Sequence, residues 1–397
     1  MHLFHDALVS FAERWDIKMK IIAFYLPQFH EIPENNEWWG EGFTEWVNVR
    51  KAKKYTSMQN QPRVPLEKNY YDLSDINIMK WQVSLAKKYG VYGFCMYHYW
   101  FNGHKLLERP VENYLKQKEL DLPFCLCWAN ENWTNQWVAG EKAKTLIEQT
   151  YGDKKEWEEH FEYFLPFFKD SRYIKVDEKP LLVIYRPELI DELDELLIKW
   201  ETLAKKNGLN GIAYAYQKAN TDQFNFKNGK NHKFDFQIEY QPLSCIEWQR
   251  SIFKTNAINI KRRIFIWLGK MFRTKRFSTI IFNPKLQARD YDRDWNCILN
   301  HIPESIKCIP GAFVDWDNTP RKQERGFYYE NVSVNKFEKY FTQLIKRTKE
   351  IYKKDMIFIF AWNEWAEGGY LEPDEKNKYG FLEAIYNALK NNNELPE

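Results

Sequence analysis

The chain has 397 residues, of which 44% are hydrophobic and 28% are charged, and its formal net charge is +3. These values are typical of a soluble globular protein, and the length fits one large barrel with insertions as well as it fits two domains. No apolar run reaches roughly 18 residues, so we expect no membrane-spanning segment. No nucleic-acid-binding module is recognisable, so we do not expect a nucleic-acid-binding protein.

Eight short apolar runs follow one another along the chain, and most precede a helical pattern. The predicted strands are residues 20–26, 91–97, 123–128, 180–185, 211–216, 234–240, 311–315 and 356–362. The predicted helices are residues 74–89, 154–168, 190–206, 335–353 and 381–390. This alternation indicates parallel βαβ units, and eight strands predict a closed α/β barrel of the (β/α)8 or TIM-barrel type. A doubly wound open sheet is the alternative, but no Gly-rich phosphate loop follows the first strand.

The barrel is predicted to be a single domain over residues 20–397, preceded by an N-terminal extension of residues 1–19. Since Met19 directly precedes the first strand, Met1 and Met19 both remain candidates for the true start. Residues 243–309 separate strands six and seven and are too long for a simple loop, so we expect a helical insertion there. Within it, residues 250–276 carry nine Lys or Arg and no acid. Such a segment either packs on the barrel or lies on an anionic membrane surface.

The cysteines and the N-terminus bear on the compartment. The six cysteines show no C-x-x-C pair and no zinc-like spacing with histidine, and they do not indicate a disulfide framework. Charged residues interrupt the first 20 positions, so no secretory signal is recognisable. We therefore expect a cytoplasmic protein, with contact to the inner face of the membrane left open by the basic segment. In the absence of a metal-binding motif we expect no metal and no cofactor.

The most informative segment follows the eighth predicted strand and reads Trp-Asn-Glu-Trp-Ala-Glu-Gly at residues 362–368. In a parallel barrel the carboxyl ends of the strands converge on the catalytic face. Two carboxyl groups are what glycosidic-bond chemistry uses, so Glu364 and Glu367 are predicted to be catalytic. Trp362 and Trp365 are predicted to form apolar walls that raise the pKa of one acid, and Asn363 is predicted to contact the substrate.

Polar and aromatic residues at the other strand ends are predicted to bind the substrate. They are Gln28 and His30 after strand one, Trp46 in the connection that follows, His98 and Trp100 after strand two, Asn130, Glu131 and Trp133 after strand three, Arg186 after strand four, Glu239 in strand six, and Asp315 and Trp316 after strand seven. The aromatic content of 17% also favours a carbohydrate ligand. Each residue has a structural alternative, such as an Asx turn or a helix cap.

Five separated segments together resemble the WbsX-type family. They are residues 23–30 (AFYLPQFH), 38–46 (WWGEGFTEW), 97–101 (YHYWF), 128–133 (WANENW) and 362–368 (WNEWAEG), within a likeness that spans about residues 20–388. That family is described as glycosyltransferase-like and is grouped with glycoside hydrolase family 99-like domains. The resemblance implies a (β/α)8 barrel that acts on glycans, often in bacterial O-antigen or capsule loci.

Family 99 proper contains endo-α-mannosidases whose two acids lie in a Glu-Trp-x-Glu-Gly pattern. Residues 364–368 match this pattern, although family 99 has His where this chain has Ala366. By that likeness Glu364 would deprotonate the 2-hydroxyl of a sugar and give a 1,2-anhydro intermediate. Glu367 would act as general acid and then as general base.

The first hypothesis is therefore an enzyme that acts at a glycosidic bond of a bacterial surface polysaccharide or oligosaccharide. The second is a sugar-nucleotide glycosyltransferase of O-antigen or capsule synthesis. A lipid-linked oligosaccharide substrate would fit a membrane contact of residues 250–276. The third is a catalytically inert barrel that binds glycans.

Overall fold

The computed structural model describes residues 18–134, 144–218, 231–249 and 286–396. At its centre lies a parallel barrel of eight strands. They are β1 (Lys20–Tyr25), β2 (Gly93–Phe101), β3 (Phe124–Trp128), β4 (Lys179–Ile184), β5 (Ala213–Lys218), β6 (Phe236–Glu239), β7 (Cys308–Ile309 and Gly311–Phe313) and β8 (Met356–Phe360). Most of their residues are buried, as in strands covered on both faces. The predicted (β/α)8 barrel is confirmed.

Strand β7 closes the barrel as two short segments on either side of Pro310. The first segment pairs with β6 and the second pairs with β8, which in turn pairs with β1. A Cβ atom at Gly311 would lie 1.8 Å from the Glu239 carbonyl oxygen, so only glycine fits at this position without a shift of the backbone. Each of the eight strands thus has two neighbours, and the alternative of an open sheet is excluded.

The helices lie around the barrel and in its connections. They are α1 (Pro33–Trp39), α2 (Glu45–Lys51), α3 (Ile76–Lys88), α4 (Arg109–Lys116), α5 (Lys154–Phe168), α6 (Leu193–Lys206), α7 (Leu243–Trp248), α8 (Tyr291–Asn300), α9 (Thr319–Lys322), α10 (Val334–Arg347) and α11 (Gly380–Asn391). Local capping explains where several begin: Asp153 accepts from two backbone N–H groups of α5, and Ser333 accepts from one in α10. The predicted helices agree with these to within a few residues, except that the one predicted over residues 335–353 ends as an α-helix at Arg347 and continues as a π-helix over Thr348–Tyr352.

Two short helices in the connections bring the site together. Helix α2 lies in the long connection after β1, and α9 follows β7. Both pack against the 3-10 turn Trp365–Glu367 that follows β8, and they pack against each other. Residues distant in the sequence therefore meet at the carboxyl end of the barrel, which is the face where TIM barrels carry their active sites.

Two predictions reach beyond the described part of the chain. The interval 243–309 contains α7 and α8, but residues 250–285, which include the basic segment, lie outside the described residues, as do residues 1–17 of the N-terminal extension. The division into an extension, a barrel and an insertion therefore stays a prediction. No helix within the described ranges combines the length and the apolar character needed to cross a bilayer.

Candidate active site

The turn after β8 is anchored from behind by three side chains. Trp362 Nε1 donates to Glu372 Oε1 at 3.0 Å, and Trp365 Nε1 donates to Glu372 Oε2 at 2.7 Å. Asn363 accepts from the Leu26 N–H at 2.8 Å and donates to the Leu26 carbonyl at 3.0 Å. These bonds tie the end of β8 to the end of β1 and fix the direction of the residue between them, Glu364.

Glu372 is a buried carboxylate on which this arrangement converges. Besides the two indoles, it accepts from the Tyr71 hydroxyl at 2.8 Å and from Gln82 Nε2 at 2.7 Å. Burial raises the pKa of Glu372 to about 7, and the four donors oppose that rise. A neutral group could not accept all four bonds, and each buried donor left without a partner costs about 1–3 kcal/mol.

The turn ends at Gly368, whose φ of +72° lies in the left-handed region. A Cβ atom there would lie 2.8 Å from Arg63 Nη2 and 3.0 Å from the Asp317 nitrogen. The Asp317 N–H donates to the Glu367 carbonyl at 2.7 Å. Glycine is therefore required both by the backbone conformation and by the close approach of the segment that follows β7.

Glu364 and Glu367 line one cavity of about 290 Å³ at the carboxyl end of the barrel. The Glu364 side chain is 4% exposed and the Glu367 side chain is 12% exposed. Neither acid points away from the cavity, and neither is sealed beneath a closed floor. The spacing of three residues in the sequence thus places both carboxyl groups at the same opening.

A single guanidinium lies between the two acids. Arg321 Nη2 lies 3.3 Å from Glu364 Oε1, Arg321 Nη1 lies 3.4 Å from Glu364 Oε2, and Arg321 Nη1 lies 3.2 Å from Glu367 Oε1. The same guanidinium contacts Glu45 Oε2 through Nη2 at 3.0 Å and through Nε at 3.3 Å. Arg321 is thus shared by three carboxylates, and sequence reasoning missed both Arg321 and Glu45.

The electrostatics of the pair follow from burial and from these neighbours. Burial raises the pKa of both Glu364 and Glu367, Arg321 opposes the rise, and Glu45 adds to it. Lys322 further opposes the rise in the pKa of Glu367. The site therefore holds two carboxyl groups that keep protons to higher pH than exposed glutamates do.

Nine of the lining residues of the cavity are aromatic. The aromatic lining residues are Trp39, Phe43, Tyr97, Tyr99, Trp133, Tyr185, Tyr240, Trp316 and Phe360. Of the predicted substrate-binding residues, Gln28, Glu131, Trp133 and Trp316 lie on this lining. Gln28 Oε1 and Trp316 Nε1 are buried without a hydrogen-bond partner among the described residues, and Glu364 Oε1 has the ion contact with Arg321 Nη2 at 3.3 Å but no hydrogen bond that meets the usual geometry. Such atoms on a cavity wall are suited to hydroxyl groups of a ligand.

Four residues predicted after strand one and at the end of strand eight lie away from this lining. Trp46 is buried and donates to the Tyr71 carbonyl at 2.7 Å, so it belongs to the core. The indoles of Trp362 and Trp365 and the amide of Asn363 face the anchors described above. The predicted apolar walls from the two indoles, and the substrate contacts predicted for all four, are corrected accordingly.

His98 and Trp100 form part of a buried cluster instead of the cavity. His98 Nε2 lies 2.9 Å from Nε2 of His160, and burial lowers the pKa of His98 to about 3. Trp100 stacks on His160 with ring centroids 4.4 Å apart and donates to Glu156 at 2.8 Å. Their aromatic surroundings, which suggested a sugar platform, are the packing between β2 and α5.

Five further predicted residues have structural partners and do not line the cavity. Asn130 accepts from the Arg186 N–H at 2.8 Å and donates to its carbonyl at 2.7 Å, as Asn363 does with Leu26. Arg186 pairs with Glu131 and Glu188. Asp315 accepts from Arg63 at 2.7 Å. His30 bonds to the Pro27 carbonyl at 2.9 Å.

Glu239 accepts from the Tyr352 hydroxyl at 2.8 Å on the outer side of the barrel, where burial raises its pKa to about 8. For all five, a direct substrate contact is no longer proposed.

Within the described residues, no group of three or more His, Cys, Asp or Glu side chains is placed to hold a metal ion. The chemistry that the described cavity can offer is that of carboxyl groups, a guanidinium, amides and aromatic hydroxyls.

The sequence profile of the family described as Glycosyltransferase WbsX matches residues 21–385. Two proteins of Xanthomonas campestris pv. campestris, both called uncharacterized protein WxcX, are also similar. The one from strain B100 is 32% identical over 371 residues, which are 93% of this chain and 49% of that protein. The one from a second strain is 32% identical over 387 residues, 97% of this chain and 52% of that protein. The chain thus spans about half the length of these curated relatives.

Two solved structures share the fold at low sequence identity. The GH99 endo-α-mannosidase from Bacteroides thetaiotaomicron superposes with a TM-score of 0.52 at 13% identity, over 94% of this chain and 96% of that one. A structure described as a glycoside hydrolase-like protein superposes with a TM-score of 0.53 at 10% identity, over 94% of each chain. At such identities the likeness establishes a common barrel fold and nothing more.

Proposed function

The chain belongs to the WbsX glycosyltransferase family, and on that premise we propose that it acts at a glycosidic bond of a bacterial surface polysaccharide or oligosaccharide. Glu364 and Glu367 are the proposed catalytic pair. The observation that carries this proposal is that both carboxyl groups line one cavity and share the guanidinium of Arg321. Two acids at one opening, with aromatic walls around them, are the arrangement that glycosidic-bond chemistry requires.

The contacts of the two acids with Arg321 limit their spacing to values that include a retaining arrangement. Glu364 Oε2 and Glu367 Oε1 both lie within 3.4 Å of Arg321 Nη1, so their separation is at most twice that distance. Retaining enzymes hold their carboxyl groups about 5–5.5 Å apart, and inverting enzymes hold them about 6.5–9.5 Å apart to make room for a water. The largest separation of these two oxygens that the contacts allow lies near the lower end of the inverting range, and every separation in the retaining range is smaller than it.

We propose that Glu364, which is the more buried acid, takes the proton from the sugar 2-hydroxyl. Oxygen O2 then attacks the anomeric carbon as the glycosidic bond breaks, which gives a 1,2-anhydro sugar. Glu367 gives its proton to the leaving oxygen and afterwards removes a proton from the incoming nucleophile. A raised pKa makes Glu364 a stronger base toward a hydroxyl, and Arg321 keeps a fraction of it ionised.

The same chemistry serves hydrolysis and transfer, because the incoming nucleophile is either water or a sugar hydroxyl. The family description favours transfer as the second candidate function. The charges on the cavity wall count against a nucleotide-sugar donor. Among the described lining residues are four carboxylates, Glu45, Glu131, Glu364 and Glu367, but one cation, Arg321, and a pyrophosphate needs cations or free backbone N–H groups.

The proposed ligand contacts are Gln28, Glu131, Trp133 and Trp316, and the proposed partner is a glycan. A lipid-linked form of that glycan and a cytoplasmic location at the inner membrane face remain proposals that rest on the basic segment 250–276. Because the relatives are about twice as long, we also keep the activity of the whole protein as a proposal.

The proposal is tested by incubating the protein with surface polysaccharides and oligosaccharides of its own organism in water enriched in oxygen-18, with products followed by mass spectrometry. Hydrolysis would give shortened chains with one heavy oxygen at the new reducing end. Transfer would give lengthened chains without it. If no glycan changes mass and none binds, the proposed function is refuted.

A further inference from the structure

We propose that Glu45 is a positioning residue that holds Arg321 between the two acids and thereby sets the pH range in which the pair works. This inference rests on the proposed function only for its kinetic consequence. Glu45 lies in the first turn of α2, within the family-like segment 38–46 but far in the sequence from the turn after β8, and it is not among the predicted site residues. Its carboxylate is nevertheless one of three that the guanidinium contacts.

The contacts divide the guanidinium into two sides. Arg321 Nε and Nη2 both reach Glu45 Oε2, at 3.3 Å and 3.0 Å. Arg321 Nη1 reaches Glu364 and Glu367, and Nη2 is shared between Glu45 and Glu364 at distances of 3.0 Å and 3.3 Å. The shortest of these contacts is with Glu45, so Glu45 competes with the two acids for the guanidinium.

Because the cluster is buried, the contacts of Arg321 with the three carboxylates act strongly on the two acids. The side chains of Arg321 and Glu45 are 8% and 16% exposed, so little water screens the charges between them. A cation close to a carboxyl group favours its ionised form, and a second carboxylate does the reverse. Glu45 therefore acts in two ways: it adds negative charge next to the pair, and it takes up part of the hydrogen bonding of Arg321, so that the guanidinium lies between the two acids without pairing closely with either.

The other charged and titratable groups that face the pair come from several elements. Lys322 of α9 and Glu367 attract each other. Tyr99 of β2 feels the charge of Glu364, and Tyr185 after β4 and Tyr240 after β6 feel the charge of Glu367. Burial raises the pKa of each of these tyrosines, so they stay neutral across the range in which glutamates titrate. The charged groups that act on the pair are therefore Glu45, Arg321 and Lys322, while Glu131 on the same lining is paired with Arg186.

The proposed mechanism requires Glu364 ionised and Glu367 protonated in the same molecule. Burial raises the pKa of Glu364 to about 8, and Lys322 opposes the rise in the pKa of Glu367, so this state is the less populated of the two singly protonated states. If Arg321 paired closely with both acids, the proton on Glu367 would be lost at too low a pH. If Arg321 were absent, Glu364 would stay protonated to too high a pH. Because Glu45 takes up part of the hydrogen bonding of Arg321, the pair titrates at a pH between these two extremes.

The test is a titration of the full chain labelled with carbon-13 at the glutamate Cδ, in which the signals of the pair are assigned with Glu364→Gln and Glu367→Gln. Glu45→Gln should move the titration of the pair to lower pH by at least about half a unit, since a charge at 4–6 Å shifts a carboxyl pKa by about 1–3 units. Arg321→Gln should move it to higher pH. Glu41→Gln, an exposed acid in the same connection, should leave it in place.

A double variant tests whether Glu45 acts through Arg321. In the Arg321→Gln background, Glu45→Gln should have a smaller effect than in the wild type, because only its direct charge remains. Glu45→Asp, which keeps the charge but shortens the reach, should give an intermediate shift and serves if Glu45→Gln does not fold. The proposal is overturned if Glu45→Gln leaves the titration unchanged or raises it, or if its effect is as large without Arg321.

The titration needs no substrate, so it tests the role of Glu45 independently of the proposed function. If the shifts occur as described but no glycan is turned over by the wild type, the proposed function fails and the role of Glu45 stands. Where turnover is measurable, both limbs of the pH profile should move down in Glu45→Gln and up in Arg321→Gln.

Discussion

Glu364 is directed into the cavity because its neighbours in the turn are held elsewhere. Trp362 and Trp365 donate to Glu372, and Asn363 bonds to the backbone of Leu26. Each of these side chains is therefore held away from the cavity. A side chain fixed in this way costs less entropy to hold in a reactive orientation. The role of the indoles is thus to orient the acid and not to stack on a sugar.

This explanation predicts that Glu372 matters although it lies away from the cavity. Glu372→Gln turns one of the two oxygens that receive buried donors into an NH2 group, which leaves donors facing donors. We expect the free energy of unfolding to fall by about 1–3 kcal/mol and turnover to fall with it, as measured by urea unfolding and by the product assay. Glu383→Gln, at an exposed position of α11, is the control. Wild-type stability and rate in Glu372→Gln would contradict this role.

The elements that carry the site are short segments from three parts of the chain. Helix α2, helix α9 and the turn after β8 each contribute one side of the cluster around Arg321. They are held on the carboxyl end of the barrel by close backbone contacts, one of which is the approach of Asp317 to Gly368. The position of Glu367 therefore depends on a glycine that contacts no substrate.

The chain offers a matched pair of glycines to test this dependence. Gly368 and Gly103 both have positive φ, at +72° and +85°, but a Cβ at Gly103 would meet nothing within 4 Å. Gly103→Ala should cost about 1 kcal/mol for the backbone alone. Gly368→Ala should cost clearly more and should also lower turnover, because Arg63 or Asp317 must move. Equal losses of unfolding free energy in the two variants would show that the close approach is unimportant.

The strand ends and the two acids could be predicted because their signal is local: a run of apolar residues that stops at a polar segment. Arg321 could not, because its partners Glu45 and Glu364 lie 276 and 43 residues away in the sequence. Asn130 and Asn363 were misassigned for a related reason. An amide that binds a sugar and one that clamps the backbone of a neighbouring strand occupy the same place at a strand end and look alike in the sequence.

At the scale of the molecule, the fold buries several acids in surroundings that disfavour their charged form. Glu239 is the clearest case away from the cavity, since it is buried on the outer side of the barrel and its pKa is raised to about 8. In the unfolded chain a glutamate ionises near pH 4.3. Between these two values the folded state binds more protons at this residue, so its contribution to the free energy of unfolding falls as the pH rises.

The consequence is measurable by urea unfolding at a series of pH values from 5 to 8.5. Glu239→Gln should remove a downward slope of at most about 1.4 kcal/mol per pH unit, so the variant should become more stable relative to the wild type as the pH rises toward 8. Glu178→Gln, at an exposed position, should run parallel to the wild type. A difference between Glu239→Gln and wild type that does not change with pH would contradict the explanation.

The central claim, that Glu364 and Glu367 perform the chemistry in one cavity, is tested most directly by comparing binding and turnover of a single glycan in Glu364→Gln and Glu367→Gln. We expect both variants to bind the glycan within about threefold of the wild type by calorimetry and to lose turnover by at least about 100-fold, the lower end of what a positioned acid or base contributes. If either variant turns the glycan over at the wild-type rate, the claim is wrong.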